Sequence, residues 1–399
     1  MSFDKLESSV VYECGISHRI NARSVSWNSS GTTLAMAGSD RVTRLYSTSD
    51  LISSVQASGS GGGNQNSSGS GSNPVRELGT ITGHSGVVDR LRFHSTQDSL
   101  LATVSVADST VRLWDLRSST SARAVGTIDL VGGKAGNNGS TTDISWSPST
   151  KANLLAVTEK NGNAHVVDTR KLGAGGSTKT PSTPGKRTAG SAFVKTFCLR
   201  PKIVDACLFS PSGDHLVAAT SENGYGELTV WNWEKNGSDA ENSHPNKSSS
   251  SNQNYVYPAH TGPVYSVCFS PDGRRLATGG GDALVGLWDV RSMVCERTVP
   301  RCGRFVRSVA VSFDSSVVAI GTEEPWIDLA DSSTGDALGK VRFGGGDASG
   351  GANRRRAPDA EAGADEIAFH PKAHLLACAR CDSGGCSPLT LARMTLGRQ

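Results

Sequence analysis

The feature that most constrains this chain is a short unit that occurs more than once. "RRLATGGGDALVGLWDVRS" (274–292) runs apolar segment, Asp turn, apolar segment, Trp-Asp, Arg, and "SLLATVSVADSTVRLWDLRSS" (99–119) has the same order. Each copy is preceded by a His before a further apolar run, in "PAHTGPVYSVCF" (258–269) and "TGHSGVVDRLRF" (82–93). The module is therefore His, strand, turn, strand, Asp turn, strand, Trp-Asp. A chain made of such modules cannot bury one in isolation, so neighbouring copies must stack.

Weaker copies follow at 17–47, 141–168, 203–232, 305–331 and 364–394, so that seven are legible. Tyr46 and Val167 take the Trp place in the first and third, Trp231 keeps it in the fourth, and the sixth lacks both His and Trp. A period of about 40–45 residues with these signatures is that of a four-stranded propeller blade, and about seven blades close a ring without long free edges. The expected fold is all-β: a seven-bladed β-propeller. "ESSVVYE" (7–13) reads as a strand before the first copy, and is expected to pair as the outer strand of the last blade and close the ring.

The repeats resemble the WD40 family. In such a blade one His, one hydroxyl, one Asp and one Trp can join into a buried hydrogen-bond chain. The expected members are His84, Ser105, Asp108 and Trp114 in the second copy, and His260, Thr278, Asp282 and Trp288 in the fifth. These are structural residues.

Four stretches break the period: 53–74, 173–192, 235–254 and 344–363, all rich in Gly, Ser or Asn. They cannot bury a core and are expected to be disordered insertions in one propeller domain spanning 1–399. With 40 basic and 37 acidic residues the net charge is +3, too balanced for nucleic-acid binding by bulk electrostatics. No signal peptide or membrane-spanning run is legible, and nine cysteines in so long a chain read as reduced thiols. The reading is a soluble, unsecreted protein.

Several clusters invite a chemical reading and have a structural one. His370, His374, Cys378, Cys381 and Cys386 include a Cys-x-x-Cys pair, but "FHPKAHLLACA" fits strand, turn and strand, with Cys378 as a small core residue, so no metal is expected. His84, Asp108 and Ser105 imitate a catalytic triad, yet the same set recurs at His260, Asp282 and Thr278, which marks architecture. The Gly-rich insertion lacks the Gly-Lys-Ser/Thr of a phosphate loop. No catalytic residue, cofactor or small-molecule substrate is expected. Arg354-Arg355-Arg356 and Lys186-Arg187 read as solvated basic runs within insertions.

Within the WD40 family, residues 277–341 resemble the propeller subunits of THO-type assemblies (TREX) that couple transcription to mRNA export. The residues that carry the likeness are "GDALVGLWDV", "MVCERTV" and the degenerate "EEPWIDLADSSTGD", with "IAFHPKAHLLACARCD" and "GHSGVVDRLRFH" extending it. The resemblance implies a nuclear, non-enzymatic subunit that docks onto helical scaffold subunits and meets an RNA helicase and mRNA only indirectly. Aligning the copies places Arg23, Asp89, Thr142, Asp205, Tyr265, Arg307 and Asp365 near the start of each first strand, as candidate partner-binding rim residues. Mixed charge with one tyrosine suits a protein interface better than a phosphate groove. The alternative is a substrate receptor of a cullin-type ubiquitin ligase, because Trp114-Asp115-Leu116-Arg117 and Trp288-Asp289-Val290-Arg291 resemble the docking box of those receptors.

Overall fold

The apolar runs hold β-branched and aromatic side chains at alternate positions and are bounded by Gly, Asp, Asn and Ser, which favours strands joined by tight turns. The computed structural model describes residues 6–14, 20–57, 74–117, 124–130, 141–148, 151–172, 176–179, 191–199, 202–233, 254–343, 363–381 and 388–396. Its strands form seven sheets, and the innermost strands of successive sheets touch in a closed cycle, a seven-bladed propeller. From blade 1 to blade 7 those inner strands are Ala22–Trp27, Arg90–Phe93, Thr141–Trp146, Ile203–Phe209, Val264–Phe269, Val306–Val311 and Gly363–Phe369.

The ring closes with the N-terminal strand. Leu6–Glu13 pairs antiparallel with Leu389–Leu396 and becomes the outer strand of blade 7. Leu6 is buried in a core shared by blades 6 and 7, with Leu338, Val341, Phe343 and Met394. Cys14 continues the pairing through its amide to the Leu389 carbonyl.

Side chains of the inner strands clamp one blade to the next. The Ser24 and Ser26 hydroxyls of blade 1 accept the Leu91 and Phe93 amides of blade 2 at 3.1 Å each. Asp143 and Ser145 of blade 3 accept the Cys207 and Phe209 amides of blade 4. Ser266 accepts Val309 N–H, Ser308 accepts Ile367 N–H, and Glu366 accepts Val25 N–H, carrying the pattern from blade 5 round to blade 1. The period-2 alternation of a strand makes this possible, since the positions aimed at the neighbouring blade recur every second residue. Arg92 sits among them, with its Nη2 2.6 Å from Glu366 and 3.8 Å from Asp143, and its side chain is 31% open to the channel.

Most of the four insertions lie outside the described residues, and two described parts correct the expectation that they are disordered throughout. Ser49–Ala57 is helical. It starts with the Ile52 amide on the Thr48 carbonyl, has Asp50 in its first turn where the helix dipole favours an anion, and buries Leu51 beside Tyr46 and Val75. The Gly-rich composition begins only after this helix. Gly176–Lys179, in the second insertion, forms a strand parallel to the outer strand of blade 2, Ala124–Asp129. No helix among the described residues is long and apolar enough to cross a membrane.

Candidate functional site

The polar chain comes first, since it sets the loops of the channel mouth. In blade 5, Trp288 Nε1 donates to Thr278 Oγ1 at 3.0 Å, Thr278 Oγ1 lies 2.8 Å from His260 Nε2, and His260 Nδ1 lies 2.9 Å from Asp282. Tryptophan only donates and carboxylate only accepts, so His260 Nδ1–H points at Asp282, and with a neutral imidazole Thr278 gives its proton to His260 Nε2. Asp282 also accepts the Thr261 and Leu284 amides, which pins the loop before the blade to the turn inside it. The residue after the aspartate, Ala283, is left-handed at φ 61°.

Blade 2 repeats the geometry with a different hydroxyl from the expected one. Thr103 Oγ1, and not Ser105, lies 2.7 Å from His84 Nε2 and accepts Trp114 Nε1 at 2.7 Å. His84 Nδ1 meets Asp108 at 2.9 Å. Thr103 and Ser105 share a face of the strand, and blade 2 has four residues between hydroxyl and aspartate where blade 5 has three, so the blade 5 spacing counted back from Asp108 falls on Val104, between the two hydroxyls, and does not choose between them. Ser105 instead accepts the Asp108 amide at a long 3.5 Å. Burial opposes ionisation of Asp108, but the hydrogen bonds of His84 and Thr110 outweigh it and bring the carboxyl down to about 2. Thr103→Val strands the Trp114 donor and the His84 ring nitrogen, and is expected to cost about 1–3 kcal/mol in urea unfolding, whereas Ser105→Ala costs about 0.5 kcal/mol or less. Equal losses would contradict this assignment.

The other blades substitute for the chain. In blade 6, Arg301 bonds Asp328 at 2.5 Å and the Gly335 carbonyl at 2.7 Å in place of His and Trp. Trp231 of blade 4 stacks on Phe197 with ring centroids 5.1 Å apart. The first-copy His18 lies outside the described residues. The histidines and cysteines with metal-like spacing are dispersed: His370 donates from Nε2 to the Gly31 carbonyl, His374 lies against Phe313 and Asp314, and Cys378 is buried in the core. The Cys381 side chain and Cys386 lie outside the described residues.

The seven rim candidates come together. Arg23, Asp89, Thr142, Asp205, Tyr265, Arg307 and Asp365 all line one mouth of the channel, around a cavity of about 360 Å³ that also includes Arg90, Val106 and Lys160. Their acids are turned to internal work: Asp89 accepts the Val106 amide at 2.9 Å, and Asp205 accepts the Ser221 hydroxyl at 3.1 Å. Burial raises the carboxyls of Asp205 and Asp365 against the pull of Lys160 and of Arg23, Arg307 and Arg90 respectively. Thr142 pairs with Thr158. The mouth also exposes arginine and aromatic groups beside these acids: Arg23, 46% exposed, lies 3.9 Å from Asp365, Arg307, 41% exposed, bonds Glu323 and lies over the Tyr265 ring at 5.4 Å, and Phe305 packs at 6.4 Å from Tyr265 with about half its surface free. Aligning the copies does not single out Phe305 or Val106, because they sit in the connections beside the strands, where the copies share no residue type.

Seven blades, a closing N-terminal strand and the repeated His–Thr–Trp–Asp chain define a WD40-repeat propeller, the architecture of a protein-interaction scaffold. The family model for the WD domain, G-beta repeat, matches residues 75–115 and 251–289, which are the segments that carry the two complete polar chains. The chain is similar to THO complex subunit 3 of Arabidopsis thaliana, 24% identical over 324 residues that cover 81% of this chain and 80% of that protein. It is also similar to Protein TEX1 of Saccharomyces cerevisiae, 20% identical over 62% of each chain. WD repeat-containing protein AAC3 of Dictyostelium discoideum is 25% identical over 75% of this chain and 52% of its own length.

Proposed function

We propose that this chain is a non-catalytic, nuclear subunit of a THO-type complex, coupling transcription to mRNA processing and export, and that it docks helical scaffold subunits through the channel mouth. The observation that carries the reading is the similarity to THO complex subunit 3 over four fifths of both chains. The mouth supports it chemically, since half-exposed arginines beside Tyr265 and Phe305 are the residue types that dominate protein interfaces. Mixed charge around a narrow opening suits a polar protein surface and leaves RNA contact to other subunits. The whole chain acts as one propeller domain. In the ligase reading, Arg117 must reach a partner; here its guanidinium binds Asp115 of its own box, and Arg170 repeats the arrangement with Asp168.

The test is an affinity capture of the tagged full chain from nuclear extract after nuclease treatment, read by mass spectrometry. Wild type is expected to recover THO scaffold subunits, and Phe305→Ala/Arg307→Glu to reduce recovery at least about tenfold, the equivalent of about 1.4 kcal/mol. Arg117→Ala/Arg291→Ala is expected to change nothing. Recovery of a ligase adaptor that the Arg117→Ala/Arg291→Ala variant loses would overturn the reading in favour of the receptor.

A further inference from the structure

The outer strand of a propeller blade is a sheet edge, with a row of free amides and carbonyls able to pair with another strand. Natural edges are blunted by charge or proline, and six of the seven here are. Arg76–Ile81 begins Arg-Glu, Phe193–Cys198 holds Lys195, Asn254–His260 holds Pro258, Val294–Val299 holds Glu296 and Arg297, Ala337–Arg342 holds Lys340, and Leu6–Glu13 holds Glu7. The exception is blade 2. Its outer strand reads Ala-Val-Gly-Thr-Ile-Asp from Ala124 to Asp129, with no charge or proline before the last residue.

Blade 2 is also the one sheet that carries a fifth strand among the described residues. Gly176–Lys179 covers the edge from Gly126 to Asp129 in parallel register, with Ser177 Oγ hydrogen-bonded to the Asp129 carboxylate. This strand belongs by sequence to blade 3, and it reaches blade 2 after a 3-10 turn, Thr169–Lys171. Leu172, next after that turn, is buried against Gly126, where a β-carbon would stand 3.2 Å from the Leu172 Cβ. The covering strand itself carries glycine, serine and the exposed Lys179, a poor template for a further strand.

From this coincidence of the edge with no charge or proline before its last residue and the one edge covered among the described residues, we propose that Gly176–Lys179 is a guard strand that keeps the blade 2 edge from pairing with blade 2 of a second copy of this chain. The edge is self-complementary. Two Ala124–Asp129 strands paired antiparallel about a twofold axis put their aspartates at opposite ends, so no like charges face each other, and the interface closes at two copies.

The experiment releases the guard in the full-length protein. Ser177→Pro/Thr178→Pro removes the pairing, and a second variant with Gly176–Lys179 replaced by four glycines weakens it without proline. Each is first checked for unchanged far-ultraviolet circular dichroism and a thermal midpoint close to wild type, then examined by sedimentation velocity over a concentration series. Wild type is expected to stay monomeric, and the released variants to form dimers at concentrations at least about tenfold lower than any wild-type dimer. Adding Thr127→Lys, which puts a positive charge at the centre of the shared edge on each strand, is expected to return the released variants to monomers. A folded release variant that remains monomeric would overturn the proposal. So would a dimer that Thr127→Lys leaves intact, since its contact would then lie elsewhere.

Discussion

Replacing Glu366 by alanine is expected to lower stability to urea by about 3 kcal/mol, the low end of the range for breaking a buried ion pair. The carboxylate is buried, and accepts the Val25 amide at 3.0 Å, the Ser24 hydroxyl, and Arg92 Nη2 at 2.6 Å. Without it Arg92 keeps Asp143, at 3.8 Å, as its carboxylate partner beside the Leu91 carbonyl, and the Val25 amide has lost its partner. The low end applies because the Arg92 side chain is reached from the channel. Glu366→Gln keeps an acceptor for Val25 and is expected to lose less. Acid gives an independent reading with a definite sign. Burial opposes ionisation of Glu366, but Arg92, Arg90 and Ser24 hold its carboxyl below the ordinary range. A depressed carboxyl stabilises fully above its unfolded value near about 4.3 and less as pH falls through the folded one. Asp143, whose carboxyl burial raises despite Arg92 and Arg90, shifts the opposite way and is present in both proteins. The gap between wild type and Glu366→Gln should therefore shrink below about pH 4; a gap that widens in acid would exclude the ion pair as its source.

Deleting the chain through Glu13 is expected to cost more than any point substitution. The Leu389–Leu396 strand would lose its antiparallel partner and become a new open edge, and Leu6 would leave the core between blades 6 and 7. The expected result is loss of a single cooperative thermal transition together with concentration-dependent aggregation, because an uncovered edge is a pairing template. Leu6→Ala separates packing from pairing: it empties a buried site while leaving the backbone ladder, and is expected to cost about 2–4 kcal/mol with cooperativity preserved. A deletion that melts as sharply as wild type would show that the ring is held without its closing strand.

The wear of the repeats has a physical pattern. In blades 2 and 5 the WD chain is the buried polar link between the entry loop and the third strand, and other blades do without it. Arg301 with Asp328 in blade 6 is another such link, built from a residue that sits before the inner strand, about where His260 stands in blade 5. The family signal survives at 75–115 and 251–289 because only those segments keep all four partners of the original chain.

By itself the sequence determined the number of blades, the four-strand repeat, the closing role of the N-terminal strand and the identity of His260, Thr278, Asp282 and Trp288 as a group, since each of these is written within one repeat or at the chain's start. The tertiary structure decided the rest. Thr103 displaced Ser105, a choice the blade 5 spacing does not make, because both lie on one strand face and that spacing falls on Val104 between them. The clamps between blades, the Arg92–Glu366 pair and the guard strand on blade 2 join residues from different repeats. Periodicity reports which face a side chain takes within its own blade, but the partner it meets across the next blade depends on the closure of the ring, and that is settled only when all seven sheets are in place.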